Sequence, residues 1–225
     1  MTDLSEATSP QTAGAGLVLI PVGSIEQHGP HLPLDTDTVI ARAVADRMAP
    51  ALDDAWVAPV VSYGASGEHQ AFPGTCSIGT DALRVVLVEL VRSIRCWAER
   101  VVLVNAHGGN LTAVRGAVEQ LQDEGHDVTW VPCATEDVDL HAGLTETSLM
   151  LHLAPWSVRR DRAEAGNTQP LREILPAMRA GGVAAVSANG VLGDPTGATA
   201  AQGGLLLDQI VARALHQLHQ STVSP

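Results

Sequence analysis

Cysteine, basic residues and long apolar runs are all scarce in this sequence, and each shortage excludes a class of protein. The three cysteines, Cys76, Cys96 and Cys133, lie far apart without a CxxC pair, which argues against a zinc ribbon and a disulfide framework. The 25 acidic residues outnumber the 13 Lys and Arg residues, for a net charge of −12. Because nucleic-acid binding needs a basic surface, we expect no nucleic-acid partner. No apolar run approaches the ~18 residues of a membrane span, so we expect no membrane partner.

The amino-terminal residues show neither the basic start nor the apolar stretch of a secretory signal. With unpaired cysteines as well, this favours a reducing cytoplasmic location. Residues 1–14 are small and polar, and we expect them to form a flexible tail. Residues 15–225 are expected to form one domain, because no linker, repeat or low-complexity run interrupts them.

Apolar strands alternate with amphipathic helices along the chain. The predicted strands cover 17–22, 56–61, 101–104 and 128–132, and the predicted helices cover 38–52, 80–97, 111–122, 145–153, 169–180 and 200–220. Such alternation predicts an α/β fold with a mainly parallel central sheet covered by helices on both faces.

Polar loops follow all four predicted strands. In a parallel sheet, chemistry gathers where the strands end, at their carboxyl termini. The loops at 26–37, 63–77, 105–110 and 136–146 are rich in His, Asp, Glu, Ser and Gly. We therefore expect these loops to converge on one rim of the sheet.

The segment at 23–37, GSIEQHGPHLPLDTD, is the most informative part of the chain. It places carboxylates and imidazoles directly after a buried strand, where they are costly unless a positive charge neutralises them. Such groups are the ligands of Zn, Mn and Fe. The acidic and histidine residues of this segment are Glu26, His28, His31, Asp35 and Asp37.

The five candidate metal ligands suit two divalent ions, Zn, Fe or Mn, better than one. Asp37 is the expected bridging carboxylate between the ions, which lie roughly 3.5–4 Å apart in two-metal hydrolytic sites. The candidates come from three of the four loops: Glu26, His28, Asp37, His107 and Glu146.

Two other interpretations stand beside this one. The loop at 105–110, NAHGGN, precedes a helix and could bind a phosphate, although it lacks the P-loop lysine and the GxGxxG pattern. The chain could also be a non-catalytic binding or scaffold protein on the same fold. Such a protein would not need two metal ions per chain.

Five stretches of the chain resemble the creatininase family of metal-dependent amidohydrolases, in family order along nearly the whole sequence. They are GSIEQHGPHLPLDTD at 23–37, FPGT at 72–75, NAHGGN at 105–110, HAGLTETS at 141–148 and GVLGDP at 190–195. The resemblance implies a three-layer sandwich around a parallel sheet, a binuclear metal site and a closed homo-oligomer, a hexamer or an octamer. It also implies that residues 15–225 are one creatininase-like catalytic domain.

The resemblance implies roles for single residues. Glu26, His28, Asp37 and His107 match the metal ligands, and His141 matches a histidine that faces the substrate and transfers protons. One position departs from the pattern, because creatininase has a glutamate two residues after its third-strand histidine and this chain has a glycine there. Glu146 is the candidate for the missing ligand and is counted with His141 as catalytic. The expected substrate and oxyanion contacts are Gly108, Gly109 and Ser77.

The implied reaction is hydrolysis of an amide bond. Metal-activated water would attack the carbonyl, and His141 would pass a proton to the leaving amine. RAEAGNT at 162–168 and SANGVLGDP at 187–195 resemble a branch of the family that acts on a small modified ribosomal peptide. That branch removes the peptide's modified C-terminal Val-Tyr unit during redox-cofactor biosynthesis. The alternative substrate is a small cyclic amide or a formamide.

Overall fold

A computed structural model describes residues 2–135 and 139–223 of the chain. Within these residues the centre is one sheet in the strand order β1-β3-β2-β4-β5. Every neighbouring pair of strands is parallel, so long crossover connections must join the strands. The strands are β1 (Thr2–Asp3), β2 (Ala15–Val22), β3 (Ala55–Val57), β4 (Ala98–Asn105) and β5 (Val128–Pro132).

Helices supply most of these connections and cover both faces of the sheet. Their apolar residues recur three or four positions apart, as in Leu83, Leu87 and Val91, which gives each helix one face to bury. The helices are α1 (Thr36–Met48), α2 (Thr80–Ile94), α3 (Leu111–Asp123), α4 (Leu144–Leu153), α5 (Leu171–Gly181) and α6 (Ala200–Val223). Among the described residues, none of the helices is long and apolar enough to cross a membrane.

Successive side chains of the central strands point to opposite faces and build two separate cores. Leu17 and Leu19 of β2 pack in the core with α1, α4 and α6. Val18 and Ile20 pack in the core with α2 and α3. The predicted three-layer α/β sandwich with a parallel central sheet is therefore confirmed.

The amino-terminal segment differs from the predicted flexible tail. Thr2 and Asp3 pair in parallel with Trp56 and Val57 of β3, and Asp3 forms an ion pair with Arg42 of α1. The pairing of β1 with β3 rests on backbone hydrogen bonds and on one ion pair. Small polar residues show no strand pattern, so this pairing could not be predicted from the sequence. The expectation that one domain begins at residue 15 stays a prediction.

The second predicted strand, at 56–61, is shorter than expected. The structure ends β3 at Val57, and Pro59, which has no N–H to donate, interrupts the ladder. The chain then continues beside β2, where the Val61 N–H donates to the Pro21 carbonyl oxygen. This path leads the loop after β3 to the carboxyl end of the sheet. Of the predicted rim loop at 136–146, residues 136–138 lie outside the described residues.

Candidate metal centre

The strand order reverses around β2, because β3 lies on one side of it and β4 on the other. Such a switch point opens a crevice at the carboxyl ends of the strands. Glu26 and His28 follow β2 in this position, Asp37 lies in the first turn of α1, and His107 follows β4. All four side chains are buried, so the sequence-predicted cluster is brought together in the protein interior.

Asp37 lies between two imidazoles. Its Oδ1 is 3.3 Å from His28 Nε2, and its Oδ2 is 3.3 Å from His107 Nδ1. The Ser24 hydroxyl donates a hydrogen bond to Oδ2 at 2.8 Å. Burial alone would raise the pKa of Asp37, but His28 and His107 hold it well below the usual value. One carboxylate with its two oxygens facing two histidines is the arrangement expected of a bridging ligand.

His28 presents a single nitrogen to the acidic groups. Its Nδ1 lies 3.1 Å from the Glu26 carbonyl oxygen, which can only accept, so Nδ1 carries the proton. Nε2 then faces Asp37 Oδ1 and, at 3.7 Å, Glu146 Oε2. Burial lowers the pKa of His28, but Asp37, Glu146 and Glu26 together raise it to about 10. A positive charge is therefore strongly favoured at this nitrogen, and a ligating histidine typically donates its other N–H to such a carbonyl.

Glu26 is the most enclosed carboxylate of the centre. Its Oε2 lies 3.1 Å from His107 Nε2, and neither oxygen accepts a hydrogen bond from the described residues. Burial raises the pKa of Glu26 to about 7, against the opposing effect of His107. A buried carboxylate whose neighbouring imidazole nitrogens do not form aligned hydrogen bonds with it is well suited to a cation.

Glu146 reaches the centre from the start of α4. Its Oε2 accepts a hydrogen bond from the Ala142 N–H at 2.6 Å while facing His28. Ala142 holds a positive φ of 52°, a strained conformation that is typical of functional sites. Burial raises the pKa of Glu146 to about 7, although His28 opposes this shift. The structure thus places Glu146 beside His28, away from the contact between Glu26 and His107.

The donor atoms fit divalent metal ions. Three groups of three side chains have one donor atom each within 4.8 Å of one another. The first is Glu26, His28 and Asp37, the second is His28, His141 and Glu146, and the third is Glu26, His69 and His141. His107 contacts Glu26 and Asp37 through different nitrogens, and one ion can use only one of these.

Two buried residues of the centre are missing from the sequence-based set. His69, in the loop after β3, has Nε2 3.4 Å from Glu26 Oε1. The Gln27 amide contacts the rings of both His69 and His141. Two features of the sequence could have indicated these residues. His69 lies in the loop at 63–77, which was predicted to reach the rim, and Gln27 lies between the candidate ligands Glu26 and His28. Neither signal specifies a contact, because the partners are 42 and 114 positions apart.

The residues expected to contact substrate differ in their surroundings. Gly108 is exposed, and a β-carbon there would meet open space. At Gly109 a β-carbon would lie 2.4 Å from both the Ala65 carbonyl oxygen and His107 Nε2, so only glycine fits. Ser77 Oγ accepts hydrogen bonds from the backbone N–H groups of Ser66 and Gly79, which fixes the loop after β3. The oxyanion role of these residues stays a prediction.

Two members of the acidic and histidine motif at 23–37 lie apart from these contacts. His31 is buried, with Nε2 2.8 Å from the Thr147 hydroxyl. Burial, together with His28, lowers the pKa of His31 to about 4. Asp35 is an exposed residue immediately before α1. The three cysteines are free thiols, of which Cys76 and Cys96 are exposed and Cys133 is half-buried.

A parallel α/β sandwich with carboxylates and histidines gathered at its strand ends defines a metal-dependent hydrolase fold. The sequence matches the family described as creatininase, creatinine amidohydrolase, over residues 4–218. The chain belongs to the creatininase family. The resemblance inferred from the sequence motifs is thereby confirmed.

Several relatives cover nearly the whole chain. The mycofactocin precursor peptide peptidase of Mycolicibacterium smegmatis is 58% identical over 200 residues, which cover 87% of this chain and 81% of that protein. A solved structure described as creatininase Mn has a TM-score of 0.75 at 25% identity and covers 100% of this chain and 99% of its own. A creatininase variant of Zn–Zn type has a TM-score of 0.74 at 25% identity, with coverages of 99% and 98%.

Proposed function

We propose that this protein is a metal-dependent peptidase that acts on the mycofactocin precursor peptide during redox-cofactor biosynthesis. It would hydrolyse an amide bond to release the modified C-terminal Val-Tyr unit. The name of the 58% identical relative supports the substrate. The observation that supports the chemistry is the buried Asp37 carboxylate, whose two oxygens face His28 and His107.

Two divalent ions, Zn, Fe or Mn, would be held by Glu26, His28, Asp37, His107 and Glu146. When bound, such ions activate water and polarise the amide carbonyl. Asp37, whose two oxygens face His28 and His107, would be the bridging carboxylate shared by the two ions. The unpaired buried oxygens of Glu26 support this assignment, because a cation would neutralise them.

His141 would move the proton. Burial, reinforced by His28 and His69, lowers its pKa well below the usual value, so the ring is neutral. Its Nε2 lies 2.8 Å from the Gln27 carbonyl oxygen, which leaves Nδ1 free to take up a proton and return it to the leaving amine. Gly108 leaves open space for the substrate backbone, and its N–H, with that of Gly109, would stabilise the developing oxyanion.

The protein would form a closed homo-oligomer, a hexamer or an octamer, in the cytoplasm. The association is supported by Val86 and Leu90, which are exposed one turn apart on α2, because exposed apolar patches often mark contact surfaces. Light scattering coupled to size exclusion would give the mass. A monomeric mass would contradict this part of the proposal.

The decisive experiment incubates the metal-loaded protein with the modified precursor peptide and follows the products by mass. We expect release of the C-terminal unit together with the shortened peptide, and no release by the Glu26→Gln variant. Creatinine and a formamide serve as competing substrates in parallel reactions. Turnover of either small amide with an intact peptide would replace the peptidase proposal by the small-amide alternative.

A further inference from the structure

Gln27 is a buried amide that contacts four groups at the floor of the metal centre. Its Oε1 accepts the Gly29 N–H at 2.9 Å, and its Nε2 lies 2.8 Å from His69 Nδ1 and 3.1 Å from the Gly190 carbonyl oxygen. The fourth contact is His141 Nε2, which lies 3.0 Å from the same amide nitrogen. No role in the proposed mechanism has yet been assigned to this side chain.

The contacts fix the orientation of the amide. The Gly29 N–H can only donate and the Gly190 carbonyl can only accept, so the oxygen must face Gly29 and the nitrogen must face Gly190. A rotated amide would place two donors together at Gly29 and two acceptors together at Gly190. Residue 190 must also be a glycine for this packing, because a β-carbon there would lie 1.9 Å from Gln27 Oε1.

The fixed amide determines which nitrogen of His69 carries the proton. The two hydrogens of the Gln27 NH₂ group have three neighbours: the Gly190 carbonyl oxygen, His69 Nδ1 at 2.8 Å and His141 Nε2 at 3.0 Å. Because His141 Nε2 has a closer acceptor, the Gln27 carbonyl oxygen at 2.8 Å, we assign the second hydrogen to His69 Nδ1. This nitrogen is then an acceptor, and the proton of the neutral ring resides on Nε2. His69 Nε2 is the atom that lies 3.4 Å from Glu26 Oε1. His69 therefore presents an N–H, and not a lone pair, to the carboxylate.

His141 is also protonated on Nε2, but it turns its other nitrogen, Nδ1, toward Glu26. The backbone carbonyl of Gln27 lies 2.8 Å from His141 Nε2 and can only accept, so the proton resides on Nε2. Nδ1, which lies 3.8 Å from the same Glu26 Oε1, is then a free lone pair. One residue thus gives two neighbouring histidines opposite characters at the same carboxylate oxygen.

We propose that Gln27 is a positioning residue that assigns these roles. His69 serves as an N–H partner that orients Glu26 and is unable to bind a metal ion there. His141 keeps the free nitrogen that the proposed reaction needs. Of the three possible ligand groups, the one composed of Glu26, His69 and His141 is therefore excluded as a metal site. The functional part of this proposal rests on the peptidase function, whereas the tautomers do not.

The test reads the tautomers directly. Long-range ¹H–¹⁵N correlation spectra of the zinc-loaded protein, labelled with ¹⁵N in histidine, distinguish a ring protonated at Nε2 from one protonated at Nδ1. The His69→Gln and His141→Gln variants assign the two signals. We expect both rings to be protonated at Nε2 in the natural protein. Protonation of His69 at Nδ1 would overturn the proposal.

The Gln27→Glu variant replaces the donor by an acceptor of the same size. We expect the His69 proton to move to Nδ1 while His141 keeps its proton on Nε2. Unchanged His69 protonation in this variant would show that Gln27 does not set the tautomer. Gln27→Met, which keeps the length without hydrogen bonding, provides a second variant if Gln27→Glu does not fold.

The kinetic readout separates positioning from general support of the fold. Loss of a supporting partner at a metal site typically costs about 10–100-fold in affinity or activity. For Gln27→Met we expect a fall in kcat of this size with KM and bound zinc nearly unchanged. The matched control is Gln122→Met, which removes a glutamine hydrogen bond to the Val128 carbonyl. Equal losses in both variants would overturn the positioning role, whereas inactivity of the natural protein on the peptide would overturn only the peptidase function.

Discussion

The acidic residues of the metal centre form two pairs that differ in access to solvent. The side chains of Glu26 and Asp37 are 0% and 3% exposed, whereas those of Glu146 and Glu68 are 22% and 31% exposed. We call Glu26 and Asp37 the closed pair, and Glu146 and Glu68 the open pair. In the proposed function the closed pair would hold the ions. The open pair is partly accessible to solvent and contains one candidate ligand, Glu146.

Removal of metal should have the largest effect, because the proposed reaction needs the ions to activate water and to polarise the amide carbonyl. We expect a chelator to abolish peptide hydrolysis and Zn²⁺, Fe²⁺ or Mn²⁺ to restore it. Activity assays together with elemental analysis provide the measurement. Full activity in protein shown to be metal-free would remove the basis for Glu26, Asp37 and Glu146 as ligands.

Substitution within the closed pair should be nearly as severe. Asp37→Ala removes the carboxylate between His28 and His107, so we expect both ions to be lost. The substitution also removes the partner of buried His28 and His107. Removing one partner of a buried ion pair typically costs about 3–5 kcal/mol, so we also expect a lower melting temperature. The matched variant His141→Ala should retain metal and lose turnover. If His141→Ala loses metal to the same extent, the bridging and proton-transfer roles are wrongly assigned.

The open pair allows a narrower comparison. Glu146→Gln should reduce metal to about one ion per chain and slow turnover by more than the about 10–100-fold expected of a supporting residue. Glu68 is the control, because its Oε1 lies 3.6 Å from His107 Nε2 and it belongs to none of the ligand groups found among the described residues. Glu68→Gln should therefore retain both ions. Retention of both ions by Glu146→Gln would restrict Glu146 to a role at the start of α4, where a carboxylate contributes about 0.3–1 kcal/mol.

The smallest expected effect is a pH dependence of the metal-free protein. The pKa values of His28 and His107 are raised from 6.5 to about 10 and about 9, which reflects Asp37 and Glu26 acting against burial. A histidine whose pKa is higher in the folded than in the unfolded protein stabilises the folded state at pH values below the unfolded pKa. This contribution is lost as the pH rises through the folded pKa. The pKa values of Glu26 and Glu146 are also raised, both to about 7, so these groups likewise lower the stability of the folded state as the pH rises.

Thermal unfolding of the metal-free protein between pH 7 and 10 measures this effect. The melting temperature should fall as pH rises, by about 2–4 °C for each kcal/mol lost. Metal-loaded protein is the control and should change less, because its ligands are already deprotonated. A melting temperature that rises over this range in the metal-free protein would contradict the protonation states assigned to the centre.

The sequence predicted which acidic and histidine residues come together at the centre, because these residues obey a local rule. Glu26 and His28 follow a buried strand, and His107 follows its neighbour, so the rule for parallel strand ends brings them together. His69 and Gln27 were not predicted as members of the centre, because their contacts join loops that are distant in the sequence. The same holds for Asp3, whose partner Arg42 lies 39 positions away. The sequence pattern thus identifies residues at strand ends more readily than it identifies contacts between distant loops.

The two-residue strand β1 covers the outer edge of β3 and has a consequence for handling the protein. An uncovered edge exposes unpaired N–H and C=O groups, which recruit strands from other molecules. A deletion that includes Thr2 and Asp3 would uncover this edge of β3. We therefore expect such a variant to aggregate more readily than the protein that keeps these residues.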